Sequence, residues 1–210
     1  MSQCGEDIFL NDHIFKNKKN GFYIELGALD GVLYSNTKFF EENHGWSGIL
    51  IEPHPDMFQQ LMINRPHNSL FNSLVSCNKE PLQYKYFVND YAAVSGVENT
   101  LLERNIEEFY NKLSFLPQNT ITIKPISLTS IVKSTGIKNI DFLSLDVEGH
   151  EYEVLQSWDF SIPIHVILIE VLEKNEKNEL CKQILLQHNY SFYSICAHNE
   201  VYILNTSYYK

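Results

Sequence analysis

A chain of 210 residues, 44% of them hydrophobic, falls in the size range of a single domain and can supply one well-buried core. Its formal charge of −10 argues against a broad nucleic-acid surface, which needs clustered Lys and Arg to release counterions, and fits a small or neutral partner. No apolar stretch approaches the roughly 20 residues that span a bilayer, and the start, MSQCGEDIFL, lacks the basic and apolar regions of a secretory signal, so the expected location is cytoplasmic.

In chain order, residues 22–27 (FYIELG) form a short apolar run ending in an acid and a glycine, as a buried parallel strand does where it meets a ligand-side loop. Residues 35–43 (SNTKFFEEN) read as a helix with Ser35 as N-cap. Residues 48–52 (GILIE) repeat the apolar run closed by a carboxylate, and 56–64 (DMFQQLMIN) return to helical spacing. A third strand is expected within 69–75. Between about 77 and 124 the alternation is lost, and this polar, aromatic segment is expected to be an insertion covering the site. The rhythm resumes with a helix at 128–134, a strand at 141–146 (DFLSLD), a short helix at 151–157, a strand at 165–171 (HVILIEV) and a helix at 176–188. Strands at 191–195 and 200–204 flank the turn AHNE as a terminal hairpin. The alternation predicts a single α/β domain over 1–210 with a seven-stranded, mostly parallel sheet, helices on both faces, and an antiparallel last strand at an edge. Cys4, Cys77, Cys181 and Cys196 form no C-x-x-C pair, which excludes a zinc knuckle or dithiol site of that pattern.

Four acidic strand ends carry the chemistry. Glu25, Gly27, Asp30 and Gly31 stand in the pattern E-x-G-x-x-x-G, whose glycines let backbone approach a ligand closely. It departs from the dinucleotide fingerprint G-x-G-x-x-G and puts carboxylates where a phosphate would be repelled, so a cationic, phosphate-free nucleoside suits it, and S-adenosylmethionine (SAM) has that description. Glu52, about 20 residues further on, is placed to accept from ribose hydroxyls. Pro53 and Pro55 stiffen the loop after it. Asp146, Glu148, His150 and Glu151 crowd the end of the 141–146 strand, and Glu170 closes the next one. An imidazole titrates near neutrality, which nominates His150 beside Asp146 as general base. Asp146 and Glu170, with Glu148 or His150, are also a hard-oxygen set for Mg²⁺ or Mn²⁺. The rings Tyr84, Tyr86, Phe87, Tyr91, Phe109, Tyr110 and Phe115 either stack on a sugar or pack the insertion against the sheet.

The blocks SQCGED (2–7), ELGALDG (25–31), SNT (35–37), WSGILIEP (46–53), IDFLSLDVEGHE (140–151) and LIEV (168–171), in this order, resemble the FkbM-type SAM-dependent methyltransferases. The resemblance implies a Rossmann-like class I methyltransferase fold, SAM as donor, and an O-methyltransferase acting on a sugar or glycan hydroxyl. It implies further that Glu25, Gly27, Asp30 and Gly31 shape the SAM pocket, Glu52 holds the ribose with Pro53 beside it, Ser35 and Asn36 line the methionine end, and Asp146 stands beside the transferred methyl. Gln3 and Asp7 match the N-terminal block. Three positions depart from the family's usual residues: Glu25 for Asp, Leu29 for Asn, and His150 for a small residue. The alternatives are a non-sugar small-molecule acceptor, a dehydrogenase-like nucleotide enzyme, disfavoured by the missing fingerprint, and a non-catalytic partner-binding domain. A chain opening directly on the SQCGED block is also what one domain of a larger glycan-modifying protein would look like.

Overall fold

The computed structural model describes residues 2–88, 91–172 and 175–209. Helix α1 (Glu6–Leu10) runs on into a π-helical turn, Asn11–Phe15, before β1 (Phe22–Leu26), α2 (Lys38–His44), β2 (Ser47–Ile51), α3 (Pro55–Asn64) and β3 (Ser69–Phe71). The middle of the chain holds β4 (Leu82–Phe87), β5 (Gly96–Val97), the short helix α4 (Glu103–Asn105) with its π-helical continuation Ile106–Asn111, and β6 (Gln118–Ile123). Then come α5 (Leu128–Thr135), β7 (Ile140–Leu145), α6 (Glu151–Gln156), β8 (Ile164–Glu170), α7 (Glu176–Gln187), β9 (Tyr190–Cys196) and β10 (Asn199–Leu204).

Seven strands form one sheet in the order β3-β2-β1-β7-β8-β10-β9. The pairs from β3 through β8 are parallel, and β10 runs antiparallel to both β8 and β9. The central strands are buried on both faces, as parallel strands covered by helices must be. On one face Ile24, Leu26, Leu143, Leu145 and Ile167 pack against Leu128, Ile131 and Val132 of α5, Val154 of α6 and Leu185 of α7. On the other, Tyr23, Leu50, Phe142, Val166 and Leu168 pack against Leu10, Phe40 and Leu61 of α1, α2 and α3. No helix among the described residues is long and apolar enough to cross a membrane.

The antiparallel last strand lies one place in from the edge, not at it as the sequence suggested. Val201, Tyr202 and Ile203 of β10 are all buried, whereas β9 exposes Ser191, Phe192, Tyr193 and Ile195. The more apolar strand therefore takes the interior position. The hairpin turn is also shorter than AHNE: Ala197 adopts a left-handed φ of +54° and the strands close around two residues. The third strand keeps only three residues, and the N-terminal helix, whose apolar positions are few, was not anticipated. Within the segment 77–124, of which Asn89 and Asp90 lie outside the described residues, β5, β4 and β6 make a separate three-stranded sheet. Leu74, Tyr84, Tyr86 and Val97 form its own small core.

Candidate active site

Strand register gathers the acids. Ile51, Leu26, Leu145 and Ile169 form one row across β2, β1, β7 and β8. One residue beyond this row come Glu52, Gly27, Asp146 and Glu170, and Asn199 of β10 pairs opposite Glu170. Strand side chains alternate between faces, so Glu52, Asp146 and Glu170 share the face that packs on α1, α2 and α3. A cleft of about 240 Å³ opens there. Six carboxylates line it, Glu6, Glu25, Glu52, Asp146, Glu148 and Glu170, against a single arginine or lysine among the described residues, Arg104.

Glu25 is buried and spends its carboxylate on the loop before α2. One oxygen accepts from Ser35 Oγ at 2.9 Å and Thr37 Oγ1 at 2.6 Å, the other from the Asn36 N–H at 2.8 Å. Ser35 also accepts from the Lys38 N–H at 3.1 Å, so it supports a helix that begins three residues later than expected. Asn36 reaches the cleft: Nδ2 donates to Ser144 Oγ at 3.0 Å, while the buried Oδ1 has no protein partner. A buried acceptor left open in this way is suited to a ligand's donor.

Both glycines of the turn serve packing, and Gly27 also lines the cleft. Gly27 has φ +75°, and a Cβ there would stand 2.0 Å from the Asp146 carbonyl oxygen, so only glycine lets the ends of β1 and β7 meet. Gly31 has φ +78°, and its would-be Cβ falls 2.6 Å from Cγ of Arg65. Neither Gly31 nor Asp30 lines the cleft. Asp30 closes the turn instead, accepting the Val32 and Leu33 N–H groups at 2.8 and 2.7 Å. Leu29 is held at φ +49°, where asparagine is better tolerated than leucine.

Glu52 is buried at the cleft wall and accepts from the Leu29 and His54 N–H groups at 2.8 and 2.7 Å. Burial pushes its carboxyl up to about 7, with Asp146 adding to the rise. Pro53 and Gln3 line the cleft too. Asp7 does not: its carboxylate takes the Ser2 hydroxyl at 2.6 Å and the Ile8 N–H at 2.8 Å, which ties down the start of α1.

Asp146, Glu148 and Glu170 bring carboxylate oxygens within 4.8 Å of one another. Burial raises the Asp146 carboxyl to about 6, and burial with the charges of Asp146 and Glu148 raises Glu170 to about 11. Both carboxyls are thus held above their ordinary values, and a hydrogen bond joins the two. Glu148 sits at a left-handed φ of +55° and accepts from Asn105 Nδ2 at 2.6 Å.

His150 borders the cleft with both ring nitrogens engaged: Nδ1 lies 3.0 Å from Thr100 Oγ1 and Nε2 lies 3.1 Å from Ser76 Oγ. Burial drives its pKa down to about 4, so the ring is neutral and tied to the segments that flank the cleft. Both ring nitrogens thus face hydroxyl groups of the protein itself. Of the aromatic residues in the 77–124 segment, Tyr84 and Phe109 line the cleft. Tyr86, Phe87 and Tyr110 are buried in the segment's own packing, and Phe115 is 77% exposed. Glu6, Asn105 and Asn199 reach the cleft without having been anticipated; the acid of SQCGED is the one sequence signal that could have pointed to any of them.

Residues 25–192 match the model of the methyltransferase FkbM domain. No curated protein matches the sequence. Solved structures similar to this chain include the METTL16 MTase domain, at 12% identity and a TM-score of 0.45 over 94% of this chain and 64% of that one. A second crystal form of that domain gives 12% identity and a TM-score of 0.46 over 96% of this chain and 66% of that one. The human methyltransferase 10 domain containing protein gives 12% identity and a TM-score of 0.42 over 94% and 78%. This chain thus spans just under two thirds of the METTL16 domain structures.

Proposed function

The chain belongs to the FkbM methyltransferase family, and from that premise we propose that it transfers a methyl group from SAM to a hydroxyl of a sugar or glycan, with Asp146 as general base. SAM supplies an electrophilic methyl on a sulfonium. Glu52 would take the ribose hydroxyls, and the open Oδ1 of Asn36 would accept from the ammonium of the methionine tail. Gln3 and Pro53 would complete the pocket, while Glu25, Ser35, Gly27, Asp30 and Gly31 act by shaping its walls.

The observation that carries the reading is the position of Asp146. It stands in the strand-end row between Gly27 on the cofactor side and Glu170 on the other, hydrogen-bonded to Glu170. An alcohol attacks an alkyl sulfonium in line: its oxygen bonds the methyl carbon, the carbon–sulfur pair leaves with sulfur, and the hydroxyl proton passes to the Asp146 carboxylate. Alignment of acceptor and methyl is worth roughly 7 to 11 kcal/mol of barrier, and proton removal a further 10²- to 10⁴-fold. An acidic cleft repels phosphorylated acceptors, and the ring of Phe109 at its wall suits the C–H face of a neutral sugar.

A second reading is favoured by the closeness of Asp146, Glu148 and Glu170. Their hard oxygens fit Mg²⁺ or Mn²⁺, which would displace the Glu170 proton and lower the pKa of an acceptor hydroxyl.

The test is methyl-labelled SAM with a panel of neutral sugars, sugar phosphates and oligonucleotides, with and without chelator. Label on a neutral sugar hydroxyl, lost about 10²-fold or more in Asp146→Asn, supports the base reading. Label found only on phosphorylated acceptors overturns the acceptor class, and activity abolished by chelator transfers the role to the metal.

A further inference from the structure

Arg65 follows α3 directly and is fully buried, the largest side chain in the described residues with no exposure. A guanidinium in that position must satisfy its donors within the protein. Its Nε donates to Glu41 at 2.7 Å and one Nη to the Tyr23 hydroxyl at 2.6 Å, which anchors it to α2 and β1. The remaining bonds all go to one loop: Gly31 O at 2.8 Å, Ser35 Oγ at 3.2 Å and Thr37 Oγ1 at 3.2 Å. Burial alone would raise the Glu41 carboxyl, but the Tyr23 hydroxyl and the Arg65 charge hold it below its ordinary value, so the ion pair persists.

We propose that Arg65 is the positioning residue that sets the 31–37 loop, and that through it α3 locks the two walls of the cofactor pocket to each other. The helix starts three residues past Glu52 and ends at Asn64, whose Nδ2 donates to the Asp30 carbonyl at 2.8 Å. Arg65 then continues the same clamp at Gly31, Ser35 and Thr37. Two of Glu25's three partners in the loop, Ser35 and Thr37, are thereby held by both a carboxylate and a guanidinium, while Asn36 between them is held by Glu25 alone of the two. The absence of a side chain at Gly31 is what lets the Arg65 stem cross the loop. Lysine cannot reproduce this role, because a point ammonium does not fork to acceptors lying in several directions.

The inference takes its ligand from the SAM reading, but its structural half is testable without one. Amide exchange over 28–37 and calorimetric SAM affinity are measured for the wild type, Arg65→Lys and Tyr23→Phe. Tyr23→Phe removes an anchor of Arg65 while leaving every loop acceptor in place. Expected are faster exchange confined to 28–37 and at least tenfold weaker SAM binding in Arg65→Lys, with kcat at saturating SAM within threefold of wild type; Tyr23→Phe stays within threefold in affinity. Should Arg65→Lys fail to fold, Glu41→Gln, which weakens the ion pair at Arg65 Nε and leaves every loop residue intact, is expected to show the same change at smaller size. Wild-type exchange and affinity in the folded variant overturn the proposal. Absence of SAM binding in the wild type overturns the cofactor reading instead, and the exchange data still decide whether Arg65 sets the loop.

Discussion

Gly27 and Gly136 share φ +75°, yet a Cβ at Gly27 would lie 2.0 Å from the Asp146 carbonyl oxygen whereas one at Gly136 meets nothing within 4 Å. The pair therefore separates backbone strain from steric exclusion. Alanine at either position adopts a left-handed conformation at a cost of about 1 to 2 kcal/mol. At Gly27 the oxygen belongs to the backbone of β7 and cannot swing aside, so the strand ends must part. Overpacking of that kind adds about 1 to 3 kcal/mol. Gly136→Ala is expected to lose about 1 to 2 kcal/mol and Gly27→Ala about 2 to 5 kcal/mol, read from urea midpoints at constant m-value. Because the displaced atom belongs to Asp146, Gly27→Ala is also expected to lose SAM affinity while Gly136→Ala keeps it. Equal destabilisation of the two variants, with equal affinity, would refute the view that the glycine exists for the approach of β1 and β7.

Stability is expected to fall between about pH 6.5 and 8.5. Buried Glu52 and Glu151, both raised to about 7, bind protons in the folded chain that the unfolded chain has already lost, and their contribution disappears as pH passes their folded values. Below about pH 6.5 the depressed histidines, His150 foremost, oppose this trend, because they charge more readily when unfolded. Urea midpoints that rise from pH 6.5 to 8.5 would contradict it. Glu170→Gln mimics the protonated side chain, so it should raise the midpoint at pH 8.5 and flatten the slope. In turnover, the rate is expected to climb through about pH 6 as Asp146 ionises, and His150→Gln to lose less than tenfold where Asp146→Asn loses about 10²-fold or more. An equal loss in the two variants would restore His150 to the chemistry.

The strand ends were legible because apolar runs closed by Glu25, Glu52, Asp146 and Glu170 carry their own boundary. Their common face was legible in principle, since one register row past the last apolar pair places three of the four together. What the sequence hid was long-range. Arg65, preceding a proline at the end of a helix, reads as a solvated cation, and its partners lie 24 to 42 residues upstream in positions no periodicity connects. His150 read as a base because an imidazole titrates near neutrality; only the fold reveals Ser76 and Thr100 on its two nitrogens. The exchange of β10 and β9 in the sheet order was likewise hidden in a hairpin whose two strands look alike until the burial of Val201, Tyr202 and Ile203 is compared with that of β9. Asp30 and Gly31 read as pocket residues because glycine and carboxylate in a turn serve a ligand and a turn equally well, and Asp7 rested on the resemblance of its block alone.

The central claim is that the acidic strand ends form a SAM pocket, and calorimetric titration with SAM, and separately with NAD, of the wild type and Glu52→Ala tests it most directly. The account predicts SAM binding in the wild type, clear weakening in Glu52→Ala, and no binding of NAD. NAD binding, or no SAM binding by a folded wild-type protein, would contradict it.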